Sequence, residues 1–244
     1  MLFAPAARPD ASSIVALKER TEGFSVSSPQ AGTHSHFGEA DGHRLELLAN
    51  GLVFDLAGLE PGKAAPRSRC EHLVDLEGEA DAWARKPFEA ITLVPGPHLR
   101  GGEAMMPVVR TMCWLGAQLS ELPGVKALAW QPAVSCISPS YFRSSITHWL
   151  EGGPFPALGL TALKPTPDGG MQSVGMAFFT GQELRIEPEL ADDCKAATRL
   201  AARLVNKLLD ESRLERETYF ELPNGNRLLL APSPNGKFVR VWPA

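Results

Sequence analysis

The stretch from residue 190 to about residue 210 limits what this chain can fold into more than any other. Leu190, Cys194, Ala197, Ala201, Leu204, Val205 and Leu208 fall on one stripe when each residue turns the chain by ~100°, the signature of an amphipathic helix. Lys195, Arg199, Arg203 and Lys207 occupy the other side and drift by ~40° per step, so they cover a broad face. A helix patterned this way packs its stripe on a sheet and turns its basic face to water or to an anionic partner. Strand patterns lie on both sides of it, so the expected fold class is α+β.

The expected sheet is mixed, with one βαβ unit, antiparallel hairpins and helices packed on it. Residues 44–48 and 52–56 flank Asn50-Gly51, a pair suited to the positive φ values of a two-residue hairpin turn. Leu45 and Leu47 alternate with Arg44 and Glu46, so this ribbon buries one face. Residues 90–94 read as a strand and residues 105–121 as a helix, with Pro107 in its first turn, where a missing N–H costs little. Residues 125–130 read as a second strand, parallel to the first with a right-handed crossover. Ser138-Pro139 opens a further helix that stops at Gly152-Gly153-Pro154.

Downstream, residues 158–163 read as a strand. Residues 173–179 pair with 183–186 across Thr180-Gly181-Gln182, and three strands after the long helix form a meander turned by Asn224-Gly225 and Asn235-Gly236. The N-terminal residues, rich in Ala and Pro, read as a loose arm with a short helix through Arg20 capped by Ser12 or Ser13. Residues 25–42 read as loop. The segments are thus 1–88 (arm, hairpin and linker), 89–155 (βαβα) and 156–244 (hairpin, helix, meander), which can form one continuous domain.

Composition bears on partners and compartment. With 244 residues, 44% hydrophobic and 21% charged, core size is not limiting. A net charge of −4 argues against nonspecific duplex binding, which needs clustered cations to displace counterions; no nucleic acid is expected. Cys70, Cys113, Cys136 and Cys194 form no CxxC pair, and a chain this long and apolar does not need a disulfide framework. Cys113 and Cys194 lie on apolar helix stripes, as small hydrophobes do. A cytoplasmic location follows from these readings. The first residues show no basic segment followed by an apolar run, so no secretory signal is expected, and no stretch has the length of a membrane span.

Gly175, Phe178, Gly181, Glu183 and Leu184, followed by the long helix and the meander, resemble a bacterial domain-of-unknown-function family with the same hairpin, helix and strand sequence. The resemblance runs from about residue 173 to residue 242. It implies a small cytoplasmic α+β bacterial protein, and the family carries no established activity, catalytic residue or cofactor to transfer.

Four groups of residues bear on chemistry. His34 and His36, with His43 nearby, form an H-x-H pattern that puts both rings on one face of a strand, as a metal site needs; Cys70 and His72 repeat the spacing. His98, Arg100, Gly101 and Gly102 link a strand to a helix N-terminus, where amides can hold an anion, although the glycine spacing fits neither a P-loop nor a dinucleotide fingerprint. Ser135, Cys136, Ser138 and Ser140 precede a helix that carries His148, and a helix N-terminus lowers a thiol pKa. No nucleophile signature accompanies them. Lys195, Arg199, Arg203 and Lys207 are the fourth group and suit an acidic protein partner. Trp114, Trp130, Trp149 and Trp242 are scattered and suit a core.

Two functions follow from different classes. The first is a non-enzymatic binding or protein-interaction module without a cofactor, because no nucleophile, base and oxyanion donor converge. The alternative is a metal-dependent hydrolase using His34, His36 and His43.

Overall fold

Asn50 and Gly51 carry φ of 49° and 76°, the two left-handed residues that a tight hairpin turn requires, and the chain folds back there with Ala49 opposite Leu52. The structure is a computed structural model and describes residues 1–28, 43–211 and 213–244. It divides into two units, Met1–Ala129 with Cys136–Gly153 and Trp130–Ser135 with Pro154–Ala244. Segment 1–88 and most of segment 89–155 fall in the first unit, while Trp130–Ser135 and residues 154–155 belong to the second. The class is α+β, with three antiparallel or mixed sheets.

Up to Gly153 the elements are β1 (Leu2–Phe3), α1 (Ala11–Arg20), β2 (Phe24–Ser27), β3 (Leu45–Ala49), β4 (Leu52–Ala57), β5 (His72–Val74) and α2 (Ala80–Arg85). They continue as β6 (Glu89–Ala90), β7 (Thr92–Pro95), α3 (Met106–Leu119), β8 (Val125–Trp130), β9 (Ser135–Ile137) and α4 (Pro139–Leu150). One sheet has the order β2-β3-β4-β7 and another β5-β9-β8-β1-β6. The predicted strand over 90–94 is broken at Ile91, so that β6 joins one sheet and β7 the other. Both β6 and β8 run antiparallel to β1. They are therefore parallel to each other with β1 between them, and the βαβ unit is split by the N-terminal strand.

That strand corrects the reading of a loose arm. Leu2 and Phe3 are 1% and 0% exposed, and burying two large apolar side chains outweighs the Ala/Pro composition around them. The Arg8 guanidinium ties the following residues down, bonding Glu60 and Glu89 and the carbonyls of Gly58 and Gly62. Asp10, not Ser12 or Ser13, caps α1; its carboxylate accepts from the Ser13 amide and from both serine hydroxyls. Residues 24–27, partly read as loop, form β2 because Phe24 and Val26 sit against β3 in antiparallel register.

The core of this unit gathers Phe3, Ile14, Leu17, Leu47, Phe54, Leu56, Ile91 and Leu115. A smaller apolar cluster holds Leu2, Trp83, Ala90, Ala127, Cys70 and Cys136. Cys70 and Cys136 are joined by a disulfide. Their separation of 66 residues is invisible to any spacing motif, whereas Cys113 and Cys194 are free.

The second unit contains α5 (Ala157–Leu160), β10 (Ala162–Pro165), β11 (Met171–Val174), α6 (Ala177–Thr180), β12 (Glu183–Ile186), α7 (Cys194–Glu211), β13 (Thr218–Glu221), β14 (Arg227–Pro232) and β15 (Phe238–Pro243). Its sheet has the order β10-β11-β12-β15-β14-β13. The meander of β13, β14 and β15 is antiparallel as predicted, while β15 also runs parallel to β12, a pairing of distant segments that hairpin logic does not anticipate. Alternate residues Leu184, Ile186, Val239, Val241, Leu228 and Leu230 are buried, and α7 packs on that side with Ala197, Ala201, Leu204, Val205 and Leu208.

Two predicted strands shorten. Residues 157–160 form one helical turn before β10, and residues 177–180 form α6 in place of strand. The second change has a local cause. Gly175 takes φ +92°, and a Cβ there would lie 2.9 Å from Ala133, so the strand ends at Val174 and the chain coils. No described helix is long and apolar enough to cross a membrane.

Candidate functional site

α7 begins at Cys194 rather than Leu190, because Asp193 accepts from the amides of Lys195 and Ala196 and caps the helix. Its apolar side is fully buried, with Ala197, Ala201, Leu204 and Leu208 at 0% exposure. Lys195, Arg199, Arg203 and Lys207 are all exposed. Lys207 pairs with Glu211 at 2.5 Å, one turn on. Lys195, Arg199 and Arg203 make no salt bridge among the described residues. Cys194, placed on the apolar stripe from sequence, is exposed; at the first helical residue the stripe has not yet met the sheet.

The serines before α4 are built into structure. Ser138 accepts from the Tyr141 amide at 3.1 Å and caps α4, while its hydroxyl donates to Asp75 at 2.5 Å. Ser140 lies 3.2 Å away. His148, exposed in the last turn of α4, stands ten residues along the helix, ~15 Å at 1.5 Å per residue. Cys136 is fully buried and disulfide-bonded, so the prospect of a reactive thiol there is corrected. The Ser135 hydroxyl is buried with no hydrogen-bond partner among the described residues, as is the indole N–H of Trp130. Between them Val134 holds φ +50°, uncommon for a β-branched residue.

In the loop before α3, His98 and Arg100 are exposed. The amides of Leu99, Arg100 and Gly102 donate to the carbonyls of Gly96, Pro97 and Leu99, and that of Met105 donates to Gly102. Four amides of this loop are thus engaged in consecutive turns, and Gly101 takes φ +83° among them. His34 and His36 lie outside the described residues. His43 is exposed and close to Gly62. Among the described residues, no group of three His, Cys, Asp or Glu side chains is placed to hold a metal ion.

The glycines and Glu183 of the 175–184 stretch act together. The Glu183 carboxylate accepts from the amides of Gly175, Met176 and Ala177 and from the Ser173 hydroxyl, and Gly181 ends α6 at φ +75°. These are the donors of a one-turn helix and a strand end, satisfied by one side chain. Their role is architectural.

Sequence reasoning missed a charged cluster on the same sheet. Arg185 and Arg240 are register partners on β12 and β15. Glu187, 4% exposed, accepts from Arg185 at 3.3 Å and from Arg240 at 2.6 Å, and Arg185 also pairs with Asp168. The Glu187 hydrogen bond, ahead of the neighbouring negative charges, holds the Arg240 pKa above its ordinary value. Arg240 stacks on Trp242 at 4.6 Å, and Arg227 on the exposed Tyr219 at 4.4 Å. The alternation of Glu and Arg in 183–187 was visible, but only the parallel β12–β15 pairing brings Arg240 to it. No protein-family model, curated protein or solved structure matches the chain.

Proposed function

We propose that the protein is a binding or protein-interaction module that docks an acidic partner on the outer face of α7. The observation that supports this reading is the row Lys195, Arg199 and Arg203, exposed and without a carboxylate partner among the described residues. In the same unit Arg185 and Arg240 sit on Glu187, Arg227 stacks on Tyr219, and Arg213 donates to the carbonyls of Gly181 and Gly236. The row is rigid, because the opposite side of the helix is locked into the sheet, so its charges keep their spacing at little entropic cost.

The partner that fits is a protein surface with discrete carboxylates. A polyphosphate would meet the exposed Asp192, Asp193 and Asp210 at the two ends of the helix, whereas a folded acidic surface can interleave with them. The role expected in this reading is cytoplasmic and without a cofactor. Its resemblance to a bacterial family of uncharacterised α+β proteins is compatible with such a role.

The test is binding of a fluorescent poly-glutamate peptide followed by anisotropy at low and at moderate salt. Wild type is expected to bind with steep salt dependence, and the variant with Arg199→Glu and Arg203→Glu to lose binding mainly through slower association. Equal binding by the variant, or none by wild type at low salt, defeats the reading.

A further inference from the structure

The disulfide Cys70–Cys136 sits where it holds a weak part of the first unit in place. β5, which begins two residues after Cys70, is a three-residue strand at the edge of the five-stranded sheet, beside β9. A strand this short adds little pairing of its own. After it the chain is mostly irregular to residue 88, with α2 as its one helix.

Much of what orders residues 66–88 is internal to them. Arg67 donates to the carbonyls of Trp83 and Lys86, the Trp83 indole N–H donates to Glu77, and Lys86 lies over the Trp83 ring at 4.2 Å. Ties outward include the amide of Ser138 to Val74, the Ser138 hydroxyl to Asp75, and the packing of Trp83 in the cluster with Leu2, Ala90 and Ala127. The covalent bond to the middle of β9 is the one tie among these that solvent cannot exchange.

The two sulfurs differ in access. Cys136 is fully buried, while Cys70 is 5% exposed and flanked by Arg69 and Glu71, whose side chains are 84% and 49% exposed. An incoming thiolate reaches Cys70 first. The other thiols do not compete. Cys113 is buried in α3, and Cys194 belongs to the second unit.

We propose that Cys70–Cys136 is a reversible redox latch: oxidised, it clamps the 70–88 stretch onto β9, and reduced by a dithiol it lets β5 leave the sheet edge. A thiolate of the dithiol attacks the Cys70 sulfur and the S–S bond breaks. Cys136 leaves as a thiolate and takes a proton from water. The second thiol of the reductant then displaces Cys70 as a thiol, and the dithiol ends as a disulfide, having supplied both electrons. In a reducing cytoplasm a disulfide is a transient, sensing bond rather than a permanent staple, which matches an edge placement. Opening also withdraws Asp75 from Ser138 and uncovers the edge of β9. The latch lies in the first unit and does not depend on partner docking by α7.

The experiment compares hydrogen–deuterium exchange of the full chain, purified without reductant, before and after dithiothreitol. Peptides within 71–88 should exchange faster on the order of tenfold or more once the crosslink is cut, while peptides from α3 and α7 keep their protection. Oxidised glutathione should restore the slow rate. The Cys70→Ser, Cys136→Ser variant should behave like the reduced protein, and if it does not fold the wild-type comparison decides alone. Three results overturn the proposal: alkylation of both cysteines before reduction, unchanged exchange in 71–88 after it, or general loss of protection with alkylation of buried Cys113, which would make the bond a global stabiliser.

Discussion

Arg240 reaches across from β15 to donate a 2.6 Å hydrogen bond to Glu187, a carboxylate 53 residues away and 4% exposed. Arg185, beside Arg240 on the neighbouring strand, shares the same acceptor oxygen. Two like charges thus share one buried anion, and Asp168 pairs with Arg185 besides. Glu187→Ala leaves both guanidiniums facing each other and should cost about 2–3 kcal/mol, less than a fully buried pair because Arg240 stays in contact with water. Urea denaturation of the variant against wild type measures it. A loss below about 0.5 kcal/mol would place Glu187 among ordinary surface ion pairs.

Glu183 offers a sharper chemical test. Its two oxygens face four donors, so Glu183→Gln, equal in size, turns an NH2 group toward an N–H. A destabilisation of about 1–3 kcal/mol is expected, with loss of amide protection at Gly175, Met176 and Ala177 by NMR hydrogen exchange.

The two faces of α7 should separate cleanly. Reversing Arg199 and Arg203 to Glu should shift stability by only about ±0.5 kcal/mol, the usual range for exposed positions. Leu204, at 0% exposure, should cost roughly 2–5 kcal/mol when cut to Ala. Thermal melts of both variants, run together, check the contrast.

Acid should loosen the N-terminal segment. Hydrogen bonds from the Ser13 hydroxyl and amide, then from Ser12, lower the Asp10 pKa from 3.8 to about 2, and the Arg8 hydrogen bond holds Glu89 below its ordinary value. Each folded pKa is depressed, so the stabilisation is present above the unfolded value and is lost as pH falls through the folded one. For Asp10 that window runs from about 4 down to about 2. A carboxyl-carbon NMR titration should show the shifted midpoint, and Asp10→Asn should flatten the dependence of melting temperature on pH in that window.

The two free thiols should differ in reactivity. Burial pushes the Cys113 thiol up to about 12, so at pH 8 it is almost entirely protonated and out of reach. Cys194 is exposed. Iodoacetamide followed by peptide mapping should label Cys194 alone in the native protein and both after denaturation.

Local features were legible in the chain because their causes are local. The Asn50-Gly51 turn, Pro107 in the first turn of α3, the Ser138 cap and the buried face of α7 each depend on residues within a turn or two of one another. Periodicity also placed the α7 cations outward. What it could not show is whether they meet carboxylates, which is a matter of neighbours in space.

The amino-acid sequence by itself determined the α+β class, most helices and the antiparallel meander, since hydrophobic period and turn chemistry act over short distances. Only the tertiary structure decided that Leu2–Phe3 splits the βαβ unit, that β12 takes β15 as a parallel neighbour, that Cys70 bonds Cys136, and that Glu187 gathers Arg185 and Arg240. Each joins segments far apart in the chain, and the choice among many possible long-range partners rests on the packing of the whole unit, not on any pattern within either segment.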